Sequence, residues 1–180
     1  MKKKFPFVIS IAAVSGGGKT TIASYLKGQL HNSKTLSFDD YDFEGPDNFL
    51  EWIDNGCNPD EWDLSPLIRD IKKLFIEPLD YIIIDFPFAY LHTKTREFID
   101  FAVFIDTPLD VALARRIIRD FKNGSAEDIM LDLENYILRG RRGYLDMLNK
   151  TKPDSDLIVD GTLSKSEIAS IIIRNIAILE

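Results

Sequence analysis

The apolar run Phe7–Ala12 passes directly into Ala13-Val14-Ser15-Gly16-Gly17-Gly18-Lys19-Thr20, and a helix-like stretch begins at Lys19 without a gap. Strand, glycine-dense turn and helix in that order constrain the fold more than any other feature of the chain. Three consecutive glycines let the backbone turn tightly and bring its N–H groups up to phosphate oxygens, where a Cβ would collide. Lys19 is spaced to reach β- and γ-phosphates, and the Thr20 hydroxyl to ligate Mg²⁺. The helix, expected over 19–30, aims its positive N-terminus at the anion. Ser15, Gly16, Gly17, Gly18, Lys19, Thr20 and Thr21 are therefore the candidate nucleotide-binding residues. The pattern's first glycine is Ala13 here, at a strand end where ordinary backbone angles suffice. The plainer alternative is a turn with no ligand; the lysine and threonine at fixed spacing argue against it.

A chain of 180 residues with 45% hydrophobic content supports one well-packed core, so a single domain over 1–180 is expected. The net charge of −7 argues against a broad basic surface for nucleic acid. Cys57 stands alone, which excludes an intrachain disulfide and a cysteine metal cluster and fits a reducing, cytoplasmic location. The basic start Met1 to Lys4 and the apolar run after it superficially resemble a secretion signal. Because the run ends in the glycine turn, it reads as a buried first strand. No apolar stretch approaches the roughly 18 residues needed to cross a bilayer, so no membrane partner is expected. His31 and His92 lack partners at metal-binding spacing. Nothing here forbids a homodimer.

Further along, short apolar runs alternate with helix-like segments, the signature of βαβ units and a parallel sheet. Strands are expected at 7–12, 34–38, 81–85, 101–106 and 157–159, and helices at 19–30, 64–75, 108–121, 127–149 and 164–178. Pro66 and Pro108 sit where a first helical turn accepts proline. The stretch 42–63, with Gly45-Pro46, Asn55-Gly56, Asn58-Pro59 and two tryptophans, reads as short helices and turns over the binding edge of the sheet. Asn123-Gly124-Ser125-Ala126 breaks a basic helix and suggests a mobile lid over about 119–130.

Several side chains can carry chemistry on this frame. Asp85 ends the buried strand Tyr81–Asp85, where an acid can hold Mg²⁺ directly or through water; a strand-ending carboxylate without function is the alternative. Asp39 and Asp40 follow the second strand, where a carboxylate can orient an attacking hydroxyl and accept its proton. A solvated acidic turn is the competing reading for Asp40, and Asp39, first past the strand, has the better case. Arg115, Arg116 and Arg119 share helix faces beside the lid and suit a polyphosphate, or else ordinary surface ion pairs. Arg139, Arg141 and Arg142 could meet an anionic substrate. Among the aromatic residues, Tyr41 and Phe88 are candidates for a small-molecule pocket, and the rest read as core.

Taken in order, these pieces resemble the uridine kinase family of P-loop kinases. The matching segments are 15–21, Ser37-Phe38-Asp39-Asp40-Tyr41, Asn58-Pro59-Asp60-Glu61-Trp62-Asp63, and Phe104-Ile105-Asp106-Thr107-Pro108 running into Leu113-Ala114-Arg115-Arg116-Ile117-Ile118-Arg119-Asp120. The resemblance implies a P-loop NTPase fold: three α/β/α layers, a five-stranded parallel sheet and a small helical lid. It also implies ATP and Mg²⁺ used to phosphorylate a small-molecule hydroxyl. Carried over by position, Asp39 matches the general base, Arg115, Arg116 and Arg119 the lid arginines, and Asp63 falls near residues that hold the acceptor's ribose. Asp40, Tyr41, Phe88 and Arg139 complete the candidate acceptor contacts. Two departures stand out. The family's base-gripping hairpin before the third strand is reduced to Ile76-Glu77-Pro78-Leu79-Asp80, which counts against uridine or cytidine, and its glutamate-glycine is replaced by Asp85-Phe86-Pro87.

Three functions remain open from the residues alone. One is a phosphotransferase moving the γ-phosphoryl group of ATP to an alcohol. Another is an ATP-dependent sensor or switch with little turnover; Asn149-Lys150-Thr151-Lys152 lacks the aspartate a guanine site needs. The third is a nucleoside monophosphate kinase, kept in view by the arginines at 139–142.

Overall fold

A computed structural model of the chain describes residues 5–179; the basic start Met1 to Lys4 lies outside the described residues. Five strands form one parallel sheet in the order β2-β3-β1-β4-β5: β1 Phe7–Ala12, β2 Ser33–Ser37, β3 Tyr81–Asp85, β4 Phe101–Asp106 and β5 Leu157–Asp160. Side chains alternate between the two faces of a strand, and here both faces are covered, so β1, β3 and β4 are nearly continuous apolar runs. Val8, Ile82, Ile84, Ala102 and Phe104 face one core with α3 (Ser65–Leu74), while Ile9, Ile11, Ile83, Val103 and Ile105 face the other with α1 (Lys19–Lys27) and α7 (Lys165–Leu179). The register pairs Ile11 with Asp85 and Ser37 with Asp85, which brings the ends of β1, β2 and β3 level.

Helix α3 shows why these segments are helical. Leu67, Ile71 and Leu74 fall at spacings of four and three and are buried, the charged residues lie opposite, and Pro66 occupies the first turn. At the end of β4, Pro108 precedes α4 (Leu109–Asp120), whose buried Ala112 packs close against the glycine turn. The irregular stretch contains α2 (Phe49–Asp54), capped by Asn48 Oδ1, which accepts from the backbone N–H groups of Leu50 and Glu51.

Three elements differ from the sequence expectation for identifiable reasons, and most others differ by a residue at one or both ends. Helix α1 stops at Lys27 because Gly28 ends it. Strand β2 begins and ends one residue earlier, and Phe38–Asp40 forms a 3₁₀ turn that swings the aspartate off the sheet edge. The long helix expected at 127–149 runs from 126 to 151 but is discontinuous: α5 (Ala126–Asn135), a π-helical turn at Tyr136–Gly140, α6 (Arg141–Asp146) and a second π turn at Met147–Thr151. Gly140 and Gly143 weaken the regular α-helical alternative there. The expected lid segment is a short turn followed by a helix start locked by a capping box, in which Ser125 Oγ accepts from Asp128 N–H and Asp128 accepts from Ser125 N–H.

Candidate active site

Strand β1 lies between β3 and β4, at the point where the sheet order reverses, and crevices at such points are where open α/β sheets take their ligands. The glycine turn sits there. Gly16 has φ +78° and Gly18 φ +101°, a left-handed backbone that side chains resist. Gly17 N–H donates to Val14 O at 2.8 Å, and Thr107 Oγ1, from the end of β4, donates to Gly17 O at 2.9 Å. Ala13 is buried, and its methyl fills space that a side chain at residue 17 would need, so the missing first glycine leaves the turn intact.

Lys19, the first residue of α1, reaches back over the strand ends. Its Nζ is 3.3 Å from Asp85 Oδ1 and 3.9 Å from Asp39 Oδ2. Asp85 is 2% exposed, and among the described residues neither carboxylate oxygen has a hydrogen-bond partner and its charge is offset by the ion-pair approach of Lys19 alone. A buried carboxylate left this way is costly unless a cation meets it. The residues thus fit Mg²⁺: Thr20 and Asp85 supply hard oxygen donors beside the turn. Among the described residues there is no cluster of three or more His, Cys, Asp or Glu able to cage a metal alone. Asp39 is 72% exposed at the open side of Lys19.

The arginines of α4 split into three environments. Arg115 Nη1 donates to Gly161 O at 3.2 Å, at the turn between β5 and α7. Arg116 forms a bidentate pair with Asp132 of α5, one contact at 3.0 Å, and that hydrogen bond raises its pKa. Arg119, more than half exposed, pairs with Asp120; its pKa is raised first by that bond and further by the field of Asp39. All three line a cleft of about 1280 Å³ that begins at residues 13–22 and includes Asp39. Tyr144 also lines it. Burial raises its pKa, while Arg116 and Ser15 pull in the opposite direction.

The cleft has two ends beyond the glycine turn. One is lined by Arg115, Gly161, Leu163 and Lys165. The other is walled by Phe38, Trp52, Trp62 and Phe88, which meet edge-on or tilted with ring centroids 5.5–6.5 Å apart, and rimmed by Phe49, stacked on Trp52 at 5.4 Å. Cys57 belongs to this wall, with its thiol pushed up to about 11 by burial, so it is inert at neutral pH.

Of the residues singled out in the sequence, 15–21, Asp39, Arg115, Arg116, Arg119 and Phe88 come together at the cleft, with Asp85 beneath Lys19. Asp40, Tyr41, Asp63 and Arg139 do not line it. The Tyr41 hydroxyl donates to Asp70 at 3.0 Å, and burial and that bond hold its pKa well up. Asp63, just before α3, accepts from the Ser65 N–H and hydroxyl, and these bonds lower its pKa. Arg139 is exposed, and its neighbour Arg142 pairs with Asp54 at 2.7 Å. Sequence reading missed Thr107, Asp132, Tyr144 and the Phe49 rim. Thr107 was legible, since it lies in the strand-ending segment before Pro108; the others carry no local pattern.

Comparison with known proteins agrees with this geometry. The Phosphoribulokinase / Uridine kinase family matches residues 57–168, more than half of the chain. A uridine kinase of Borrelia duttonii is 29% identical over 177 residues, covering 84% of this chain and 85% of that protein. The uridine kinase-like protein 3 of Arabidopsis thaliana is 26% identical over 86% of this chain and 39% of its own length. Among solved structures, a gluconokinase from Sinorhizobium meliloti 1021 superposes with a TM-score of 0.58 at 16% identity, covering 98% of this chain and 94% of that one. A deoxyadenosine kinase from M. mycoides does so with a TM-score of 0.56 at 14% identity, covering 95% and 99%. At such identities the superpositions speak for the fold alone.

Proposed function

The chain belongs to the phosphoribulokinase / uridine kinase family, and from that premise we propose that it is an ATP-dependent kinase acting on the hydroxyl of a small molecule. The observation that carries the reading is the position of Lys19, at the tip of the glycine turn between a buried carboxylate, Asp85, and an exposed one, Asp39. Lys19 and the backbone N–H groups of residues 16–20 hold the triphosphate, and the Arg115 end of the cleft takes the nucleoside. Mg²⁺, held by Thr20 and Asp85, supplies charge neutralisation at the phosphates when bound.

In this reading the triphosphate draws Lys19 away from Asp85. The acceptor oxygen attacks the γ-phosphorus, the bond from that phosphorus to the β-bridging oxygen breaks, and ADP leaves with the electron pair. Asp39 takes the hydroxyl proton and later returns it to water. Arg119, whose guanidinium already feels Asp39, stabilises charge spreading over the transferred group, and Arg116 does so once it exchanges Asp132 for phosphate. Catalysis is then mainly positioning and electrostatics. An acceptor that is itself a phosphate is disfavoured: Arg139 lies off the cleft, Arg142 is paired outside it, and Asp39 would repel a second anion.

Replacing the base separates an enzyme from a sensor. Asp39→Asn should lower kcat by about 10²–10³ while leaving the affinity for Mg-ATP within about twofold. Unchanged turnover with the natural acceptor, or parallel loss of nucleotide affinity, would remove Asp39 from that role.

A further inference from the structure

The acceptor end of the cleft is built mostly from aromatic and aliphatic side chains, and two carboxylates that line it are already paired. Asp132 is taken by Arg116, and Asp146 by Lys150 at 2.6 Å. The Trp52 indole N–H is used by Asn58 O at 2.8 Å, which leaves the Trp62 indole N–H and the Tyr144 hydroxyl as polar groups of the lining without a hydrogen-bond partner among the described residues. A polyhydroxylated acceptor placed here would lose water from several hydroxyls and find few partners for them, a cost for each one. An apolar ring would instead bury its own surface against Phe38, Trp52, Trp62 and Phe88.

A second observation points the same way. Phe49 and Leu50, in the first turn of α2, line the cleft and are 54% and 42% exposed, although the same short helix buries Trp52 and Ile53. Large apolar side chains left open at the rim of a cleft are the surface a ligand would cover. Asp39 and Phe38 are adjacent in the 3₁₀ turn, so the carboxylate marks one edge of the aromatic wall, on the side of the phosphate-binding turn.

We propose that the phosphate acceptor is an alcohol with an aromatic or otherwise apolar body, its hydroxyl at Asp39 and its ring against the wall formed by Phe38, Trp52, Trp62, Phe88 and the Phe49 rim. This rests on the kinase reading above for the transfer step and on the wall alone for binding. The transfer makes an aryl-alkyl phosphomonoester and ADP, with the hydroxyl proton passing to Asp39.

The test uses the full chain with benzyl alcohol, 2-phenylethanol and indole-3-ethanol against glycerol, gluconate and uridine. Binding is read by saturation-transfer NMR with a non-hydrolysable Mg-ATP analogue present, and turnover with Mg-ATP by ³¹P NMR of the phosphomonoester. The expected result is saturation transfer to the ring protons and a kcat/KM for the best aryl alcohol about tenfold or more above that for uridine and glycerol. Phe49→Ser, at an exposed position that should spare folding, should raise the aryl alcohol KM about tenfold with little change in kcat or in nucleotide affinity. Phe88→Ser gives a second reading from inside the wall. Turnover confined to uridine or the polyols would overturn the inference and keep the kinase. Ring binding that responds to Phe49→Ser, with no phosphate transferred to any acceptor, would keep the wall and overturn the kinase reading. No binding and no turnover of any aryl alcohol would overturn the inference.

Discussion

The two ends of the cleft are made in opposite ways. The proposed phosphate end is local: the seven consecutive residues 15–21, Lys19 among them, and one strand-end carboxylate, held by backbone geometry and by the bond from Thr107 to Gly17 O. The aromatic wall is assembled from separated pieces, Phe38, residues 49–62 and residues 87–91, opposite the interrupted helix at 126–151. Cys57, which lines it, at φ +54°, and Ala89, next to the lining Phe88 in sequence, at φ +48°, are in left-handed backbone that non-glycine residues avoid, at a cost of about 1–3 kcal/mol each.

The largest expected effect falls on the phosphate end. Lys19→Ala should lower kcat/KM by about 10³-fold, because in the proposed reaction the removed ammonium stabilises charge on the transferred phosphoryl group. It should also destabilise the fold by about 3 kcal/mol, since Asp85 would be left buried without a counter-charge. Asp85→Asn in the Lys19→Ala background should recover much of that stability and none of the activity. A thermal denaturation series of the four proteins checks this. Additive stability losses would show that the ion pair is not the coupling assigned here.

Within the same turn, two glycines should behave differently. A Cβ on Gly16 would overlap Ala112 O of α4, and φ is +78°, so Gly16→Ala must displace the helix that carries Arg115, Arg116 and Arg119. About 3 kcal/mol of destabilisation and loss of measurable Mg-ATP binding are expected. A Cβ on Gly18 meets nothing within 4 Å; only its φ of +101° resists, so Gly18→Ala should cost about 1–2 kcal/mol and weaken nucleotide binding less. Calorimetric titration of both variants with Mg-ATP ranks them.

The contrast between the ends also explains what could be read in the sequence. Glycine spacing, Lys19, Thr20 and the apolar strands are short-range signals, and the sheet, its helices and the nucleotide end follow from them. Asp63 and Tyr41 were drawn toward the site by position along the chain, yet nearby partners claimed them: Ser65 for the first and Asp70 for the second. The pairing of Arg116 with Asp132 spans 16 residues across the lid turn, and no local pattern announces it. Phe49 and Leu50 looked like ordinary apolar residues. Only packing shows that they stay open at a cleft rim while Trp52 and Ile53 go inside.

The smallest expected effect tests the wall without touching the phosphate end. His92 is buried, and its Nε2 donates to Trp62 O at 3.2 Å while Nδ1 meets the Thr95 hydroxyl at 3.2 Å, which ties the wall to the segment after β3. Burial lowers its pKa below the ordinary 6.5; the Trp62 carbonyl and Asp60 oppose that shift, Lys94 adds to it and Asp63 opposes it. Because the folded protein holds this imidazole neutral, the unfolded chain binds the proton first as pH falls, so stability is full above about pH 6.5 and declines below it. The decline should amount to about 1 kcal/mol or less and should vanish in His92→Gln, with denaturant midpoints at pH 7.5 and 5.5 as the measurement. Protonation adds a hydrogen at Nδ1, against the Thr95 hydroxyl, and so disturbs the segment that holds Trp62 O through Nε2 while leaving the glycine turn alone. The same pH step should therefore raise the acceptor KM in the wild type but not in His92→Gln, and shift the affinity for a non-hydrolysable Mg-ATP analogue equally in both. A pH response confined to nucleotide affinity would break the separation between the two ends.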